Sequence, residues 1–186
     1  FLGAVFHRLN QISTLVWGVK FKDATWLLLI YNLFCTIGGA HFFSKIIEEK
    51  LRSIEAYYYS LVLICFSLVT WSQWNGELYA GGVFFTAASI YFCTRKRFLL
   101  SGFCYSLSFL SHLEFIFLGL AGIYFLFLTE DGTRFEFTKN KRIHFLTVLA
   151  GAFLGFAVVY LGGAWSLNKF ATFKGMIDYV VHSFFY

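Results

Sequence analysis

The chain has 186 residues, 59% of them hydrophobic and 13% charged, with 26 Phe, 11 Tyr and no Pro. A soluble domain is about a quarter charged and about half apolar, so this composition excludes a disordered tail, a collagen-like repeat and an ordinary cytosolic domain. The net charge of +5 does not point to nucleic acid, because the cations sit in short clusters between apolar runs, where membrane topology uses them.

In chain order, residues 1–19 come first as an amphipathic flank. Leu2, Val5, Phe6, Leu9, Ile12 and Val16 recur at helical spacing, with His7, Arg8, Asn10, Gln11 and Thr14 as the polar remainder. Such a segment is too short to span a bilayer and lies in the interface. Residues 24–44 form a first apolar run of the roughly 20 residues that a span needs, followed by the charged stretch Lys45 to Ser53. Residues 54–72 form the second run, which ends at a polar aromatic turn holding Gln73, Asn75 and Glu77. Residues 78–94 form the third, stopped by Arg95-Lys96-Arg97.

Residues 98–128 are apolar apart from Ser111-His112-Leu113-Glu114. One straight helix of that length would run ~46 Å and overshoot the bilayer. Positive charge arbitrates, since short cytoplasmic loops carry the excess of Lys and Arg. A single span leaves eight cations on one side and seven on the other. Two short helices breaking near His112 put ten on one side, from Lys45 through Arg97 to Arg142, against five. The break is therefore predicted. Residues 143–164 form the last span, with Gly151, Gly155, Gly162 and Gly163 offering close helix approach. Residues 167–186 repeat the amphipathic pattern, with Asp178 and His182 four apart.

The expected fold is all-α: one polytopic transmembrane domain over residues 1–186, with about six membrane segments, two of them short, and interfacial flanks at 1–19 and 167–186. The chain begins at Phe1 with no signal peptide before the first apolar stretch, and it reads as a piece of a longer protein. Cys35, Cys65, Cys93 and Cys104 all lie in apolar runs without a C-x-x-C, so they read as buried thiols.

On this topology the non-cytoplasmic face receives His7, Arg8, Asn75, Glu77, His112 and Glu114, while the other face holds little besides solvated charge such as Glu48-Glu49-Lys50. An ionisable residue inside a membrane segment is costly and marks a functional hypothesis. A His112–Glu114 pair at a helix break could exchange a proton, hold a cation, or bind a phosphate through a charged histidine; a wet interfacial turn is the plain alternative. Asn75 suits a helix N-cap and Glu77 its first turn, so that motif alone reads as structural. Arg8, beside His7, suits bidentate contact with a lipid phosphate. Asp178 and His182 lack a third metal ligand, and His41 and His144 read as end-of-helix residues. No phosphate-binding loop, nucleophile elbow or zinc-protease motif occurs.

The order of features, an outer segment with His7-Arg8, an outer turn with Asn75 and Glu77, and then Arg95-Lys96-Arg97 leading into Phe98-Leu-Leu-Ser-Gly and on to Ser111-His112-Leu113-Glu114, is similar to the middle of GT-C membrane glycosyltransferases. These include the protein mannosyltransferase-like and aminoarabinose transferase-like enzymes. The resemblance covers roughly residues 5–165. It implies transfer of a sugar from a polyprenyl-phosphate carrier to an acceptor on the periplasmic or lumenal side. His112 takes the place where the family commonly has Lys or Arg near the donor phosphate, with Glu114, Glu77, Asn75, His7 and Arg8 around the lipid-phosphate site. The family's catalytic acid falls in its first outer loop, which would precede Phe1, so no residue here is assigned as the base. No cofactor is assigned, a divalent cation being the one left open. The partners implied are membrane lipids, the carrier-linked sugar and other membrane subunits. The rival readings are a non-catalytic subunit of a larger membrane complex and a small transporter or lipid-binding component.

Overall fold

The computed structural model describes residues 10–16, 25–65, 79–111, 115–117, 126–127, 134–167 and 169–185. Among these the architecture is all-helical. A short helix, α1, covers 10–16. It is followed by α2 (Thr25–Leu51), α3 (Ile54–Cys65), α4 (Tyr79–Thr94) and α5 (Phe98–Ser111). A continuous helix α6 covers Lys139–Ser166, and α7 covers Phe173–Phe185. Helix α6 has 28 residues, or ~42 Å, and is the one helix among the described residues long and apolar enough to cross a membrane. Only 11% of its most apolar stretch is buried, whereas the core helix of a soluble domain would be mostly buried.

The helix ends follow from local chemistry. Arg52 and Lys96 both adopt left-handed backbone, with φ of 52° and 58°. At Lys96 this closes a Schellman motif: Arg97 N–H donates to Phe92 O at 2.8 Å and Lys96 N–H to Cys93 O at 3.0 Å. Glycine is the usual residue there, and a side chain in that conformation costs roughly 1–2 kcal/mol. Thr138 caps α6 through Lys141 N–H, and Thr172 caps α7 through Gly175 N–H. Helix α2 runs seven residues past the apolar stretch that ends at Ser44, so Glu48-Glu49-Lys50 is helical rather than a loop. For the same reason His41 lies well inside α2. Its Nδ1 is 2.8 Å from Tyr57 Oη on α3.

Contact pairs fix the directions. Lys45 lies over the Tyr57 ring and His41 touches Tyr57, so α2 and α3 form an antiparallel hairpin. Tyr31 meets Gly81, Phe42 meets Tyr91, and Glu49 pairs with Arg95, so α4 runs parallel to α2. Helices α4 and α5 are antiparallel: Thr86 Oγ1 lies 2.6 Å from Ser108 Oγ, and the Ser89 and Ser101 hydroxyls each donate to the other residue's carbonyl, at 2.9 and 2.8 Å.

Helices α5 and α6 pack parallel. Phe98 stacks on His144, Gly102 lies against Val148, Gly151 against Leu99, and Gly155 against Ser106. At this seam glycine is required by proximity. A Cβ at Gly102 would overlap Val148 O, and one at Gly151 would overlap Leu99 O. Gly151 and Gly155, four apart, meet the Leu99 and Phe103 backbone and the Ser106 hydroxyl, while Gly102 meets the backbone of Val148 and Ala152, which is the small-residue packing of membrane helices. Of the glycines expected to make close approaches, Gly151 and Gly155 do so, whereas a Cβ at Gly162 would meet nothing nearer than Ala157 O of its own helix at 3.7 Å.

Parallel α5 and α6 require the chain to come back between them. Phe115 packs on Gly82, at the Ser111 end of α5, while Phe127 touches Phe137 and Phe145, at the start of α6. Tyr105 Oη donates to Ile116 O at 2.8 Å. In one straight helix those residues would be ~16 Å apart along the axis, so residues 98–128 do not form one. The predicted break near His112 agrees with this turn-back; residues 112–114 themselves lie outside the described residues. The basic clusters at Lys45–Arg52, Arg95–Arg97 and Lys139–Arg142 consequently gather at one end of the helix assembly.

The interior is small and polar and the outside is large and apolar. Asn32, Ser44, Ser106 and Ser108 are the largest fully buried side chains, accompanied by Ala40, Ala80, Ala87 and Ala88. On α2 the buried positions Asn32, Thr36, Ala40 and Ser44 recur every four residues as one stripe, while Leu33, Phe34 and Ile37 face outward. No Leu, Ile or Val is buried among the described residues.

Candidate functional site

His7, Arg8, Asn75, Glu77, His112 and Glu114 all lie outside the described residues. Their described neighbours define the end of the assembly away from the basic clusters. Ser111 ends α5 and Tyr79 begins α4. Antiparallel pairing brings these termini together, with the Tyr79 and Phe115 rings 6.4 Å apart. Gly81 makes the approach close: a Cβ there would overlap Tyr31 Oη and lie 3.2 Å from Ser111 Oγ. Gly82 likewise admits the Phe115 ring, which is buried. Three separate segments thus converge on an aromatic collar of Tyr31, Tyr79 and Phe115.

Below the collar, the α2 stripe supplies polar groups that sequence reasoning missed. Asn32 is fully buried, and Thr36 Oγ1 is buried with no hydrogen-bond partner among the described residues. A buried hydroxyl without a partner costs roughly 1–3 kcal/mol. The signal available in the sequence was the recurrence of Asn32, Thr36 and Ser44 at multiples of four residues within an otherwise apolar run. Cys35 and Cys104 are buried thiols, as expected, whereas Cys93 is only half-buried; the side chain of Cys65 lies outside the described residues.

The basic end is built differently. Lys45 Nζ donates to Glu48 at 2.7 Å, and this hydrogen bond raises the Lys45 pKa above its usual value. Arg95 pairs with Glu49, whose charge raises the Arg95 pKa, and its guanidinium lies 5.5 Å from the Tyr91 ring centre. The first pair is half-buried and the second exposed; both hold cations near a surface and bring no reactive group together. Asp178 and His182 are exposed on α7, and no three potential metal ligands cluster among the described residues.

One further irregularity lies in α6. Phe156–Leu161 winds as a π-helix, starting directly after Gly155 where α6 rests on Ser106. Such a wide turn is rare and shifts the helix face that follows it. Here it turns Tyr160 against Tyr179 of α7, 5.8 Å between ring centres, and so docks α7 beside the end of α6. Comparison with protein-family models, with curated proteins and with solved structures returns no match.

Proposed function

We propose that this chain is a multi-pass membrane bundle acting as a GT-C-like glycosyltransferase, which moves a sugar from a polyprenyl-phosphate carrier on the non-cytoplasmic side. The membrane part of the reading rests on the inverted core: buried Asn32, Ser106 and Ser108 against exposed Phe34, Phe153 and Val158. Water would penalise that arrangement at about 25 cal/mol per Å² of exposed apolar surface, whereas lipid does not. Gathering of the basic clusters at one end supports a cytoplasmic assignment for that end.

The observation that carries the transfer reading is the convergence of Tyr79 with Ser111 and Phe115 at the opposite end. Tyr79 follows directly on the segment with Asn75 and Glu77, and Ser111 leads directly into His112 and Glu114. Two motifs far apart in sequence therefore join the described structure at neighbouring points. A phosphate-bearing donor needs a cation near its leaving phosphate and a carboxylate to deprotonate the acceptor. His112 supplies the first of these only while protonated, so donor binding weakens as pH rises through the histidine range.

The test is sugar transfer from a panel of radiolabelled polyprenyl-phosphate hexoses in membranes containing the protein. Consumption of one donor is expected, with His112→Ala and Glu114→Ala each reduced at least roughly tenfold at unchanged membrane abundance. Full transfer by both variants would refute the site.

A further inference from the structure

An open groove of about 440 Å³ follows the seam between α5 and α6 on its lipid-facing side. Lys96 and Arg97 stand at its mouth, and Leu99, Leu100, Phe103 and Leu154 wall it, with Thr147 on the α6 side. From the level of Arg97 to that of Phe103 the groove extends ~9 Å along the helix rise, enough for the upper part of one acyl chain. The two cations are set there by backbone geometry. The left-handed turn at Lys96 ends α4 and starts α5, fixing both residues over the groove. Neighbouring Arg95 is neutralised by Glu49, whereas neither Lys96 nor Arg97 meets a carboxylate among the described residues. Phe98, beside them, is held by stacking on His144 at 4.0 Å between ring centres.

We infer that this groove binds an anionic diacyl phospholipid of the leaflet at the basic end, its phosphodiester on Lys96 and Arg97 and one chain along Leu99, Phe103 and Leu154. Charge complementarity selects an anionic headgroup over a zwitterionic one, and basic pockets between membrane helices on the cytoplasmic side are suited to such lipids. The open, apolar wall selects a lipid over a soluble phosphate. The inference rests on the membrane reading above but not on the transfer chemistry, because the groove lies at the opposite end from Tyr79 and Ser111.

The experiment uses the protein in mixed phosphatidylcholine–phosphatidylglycerol nanodiscs, released into mild detergent, with retained lipid counted by native mass spectrometry. Phosphatidylglycerol is expected to be retained preferentially. Lys96→Gln with Arg97→Gln should lower that preference roughly thirtyfold, as two surface cations together imply. Leu100→Trp, which fills the groove and keeps both charges, should also reduce retention. Lys139→Gln with Arg142→Gln, cations that do not line the groove, should leave it unchanged. Equal retention of both lipids, a double variant matching the parent, or displacement of the lipid by soluble glycerol phosphate would each overturn the inference. Carbonate extraction of the same membranes separates the two levels: a chain that stays in the pellet but shows no lipid preference refutes the groove alone, and a chain released to the supernatant refutes the membrane reading as well.

Discussion

Replacing Gly151 by alanine adds a single methyl group at the α5–α6 seam. That carbon would overlap Leu99 O and lie 2.9 Å from Leu99 C and 3.0 Å from Phe103 N. All three atoms belong to the backbone of α5, so no rotamer change relieves the contact. The helices have to part by roughly 1 Å, and a gap of that size forfeits up to about half of each dispersion contact it opens. Overpacking costs about 1–3 kcal/mol, and the upper end applies where backbone must move. Alanine returns about 1 kcal/mol through its better helix propensity. The net expectation is a loss of about 2 kcal/mol, or roughly 4–8 °C in Tm for a chain of this size. Gly162→Ala is the internal control: the nearest atom to its Cβ is Ala157 O at 3.7 Å, so only the propensity gain remains. Thermal unfolding of the detergent-purified protein, followed by loss of monodisperse protein, reads both. The seam argument fails if Gly151→Ala is as stable as the parent, or if the two variants shift Tm in the same direction.

Three further outcomes follow from the same contacts. A double-mutant cycle of Ser89→Ala and Ser101→Ala should show a coupling of about 0.6 kcal/mol, at most about 1.7, because their hydroxyls bridge α4 and α5 reciprocally; strictly additive losses would mean the bridge contributes nothing. Tyr105→Phe removes the donor to Ile116 O and should cost about 1 kcal/mol in the same unfolding assay, where an unchanged Tm would deny the turn-back contact any energetic role. With the native cysteines replaced, Arg97→Cys and Lys139→Cys should react with an impermeant maleimide from one side of the membrane and Lys169→Cys from the other. Labelling of positions 97 and 139 from opposite sides would refute the parallel packing of α5 and α6.

Hydropathy located the apolar runs but could not say which face of each turned inward. In water the inward face is the apolar one, and reading by that rule would have placed Leu33 and Phe34 of α2 inside. The structure buries Asn32, Thr36 and Ser44 instead, and their spacing in multiples of four was the only trace of this in the sequence. The end of α2 was hidden for a related reason. Charge at Lys45 to Lys50 marks where an apolar environment ends, not where helical hydrogen bonding stops, and the stop is a left-handed Arg52 where glycine would have been the visible sign. The glycines at 151 and 155 were legible from the sequence, but the same reading also took in Gly162, whose Cβ would meet nothing nearer than Ala157 O at 3.7 Å. At the candidate site, the sequence pointed to His112, Glu114, Asn75 and Glu77, and the described structure reaches their flanks at Ser111 and Tyr79. It could not point to Tyr31 as the third element there, because that contact depends on the parallel register of α2 and α4.

The charge count and the helix packing bear on the same question from independent physics. Counting Lys and Arg uses only the cost of moving cations across a bilayer, and it favours a reversal within 98–128 by ten charges to five. The close packing of α5 on α6 depends only on sterics, and the direction set by its end contacts demands the same reversal. A helix pair that close cannot be antiparallel with these contacts, because Phe98 meets His144 at one end while Ser106 meets Gly155 further along in the same sense. Neither line of reasoning uses the chemistry of Ser111-His112-Leu113-Glu114. The reversal is therefore supported twice without appeal to function, and what remains for function to explain is narrower: why the sequence between Ser111 and Phe115, where serine or glycine would do, carries both an imidazole and a carboxylate.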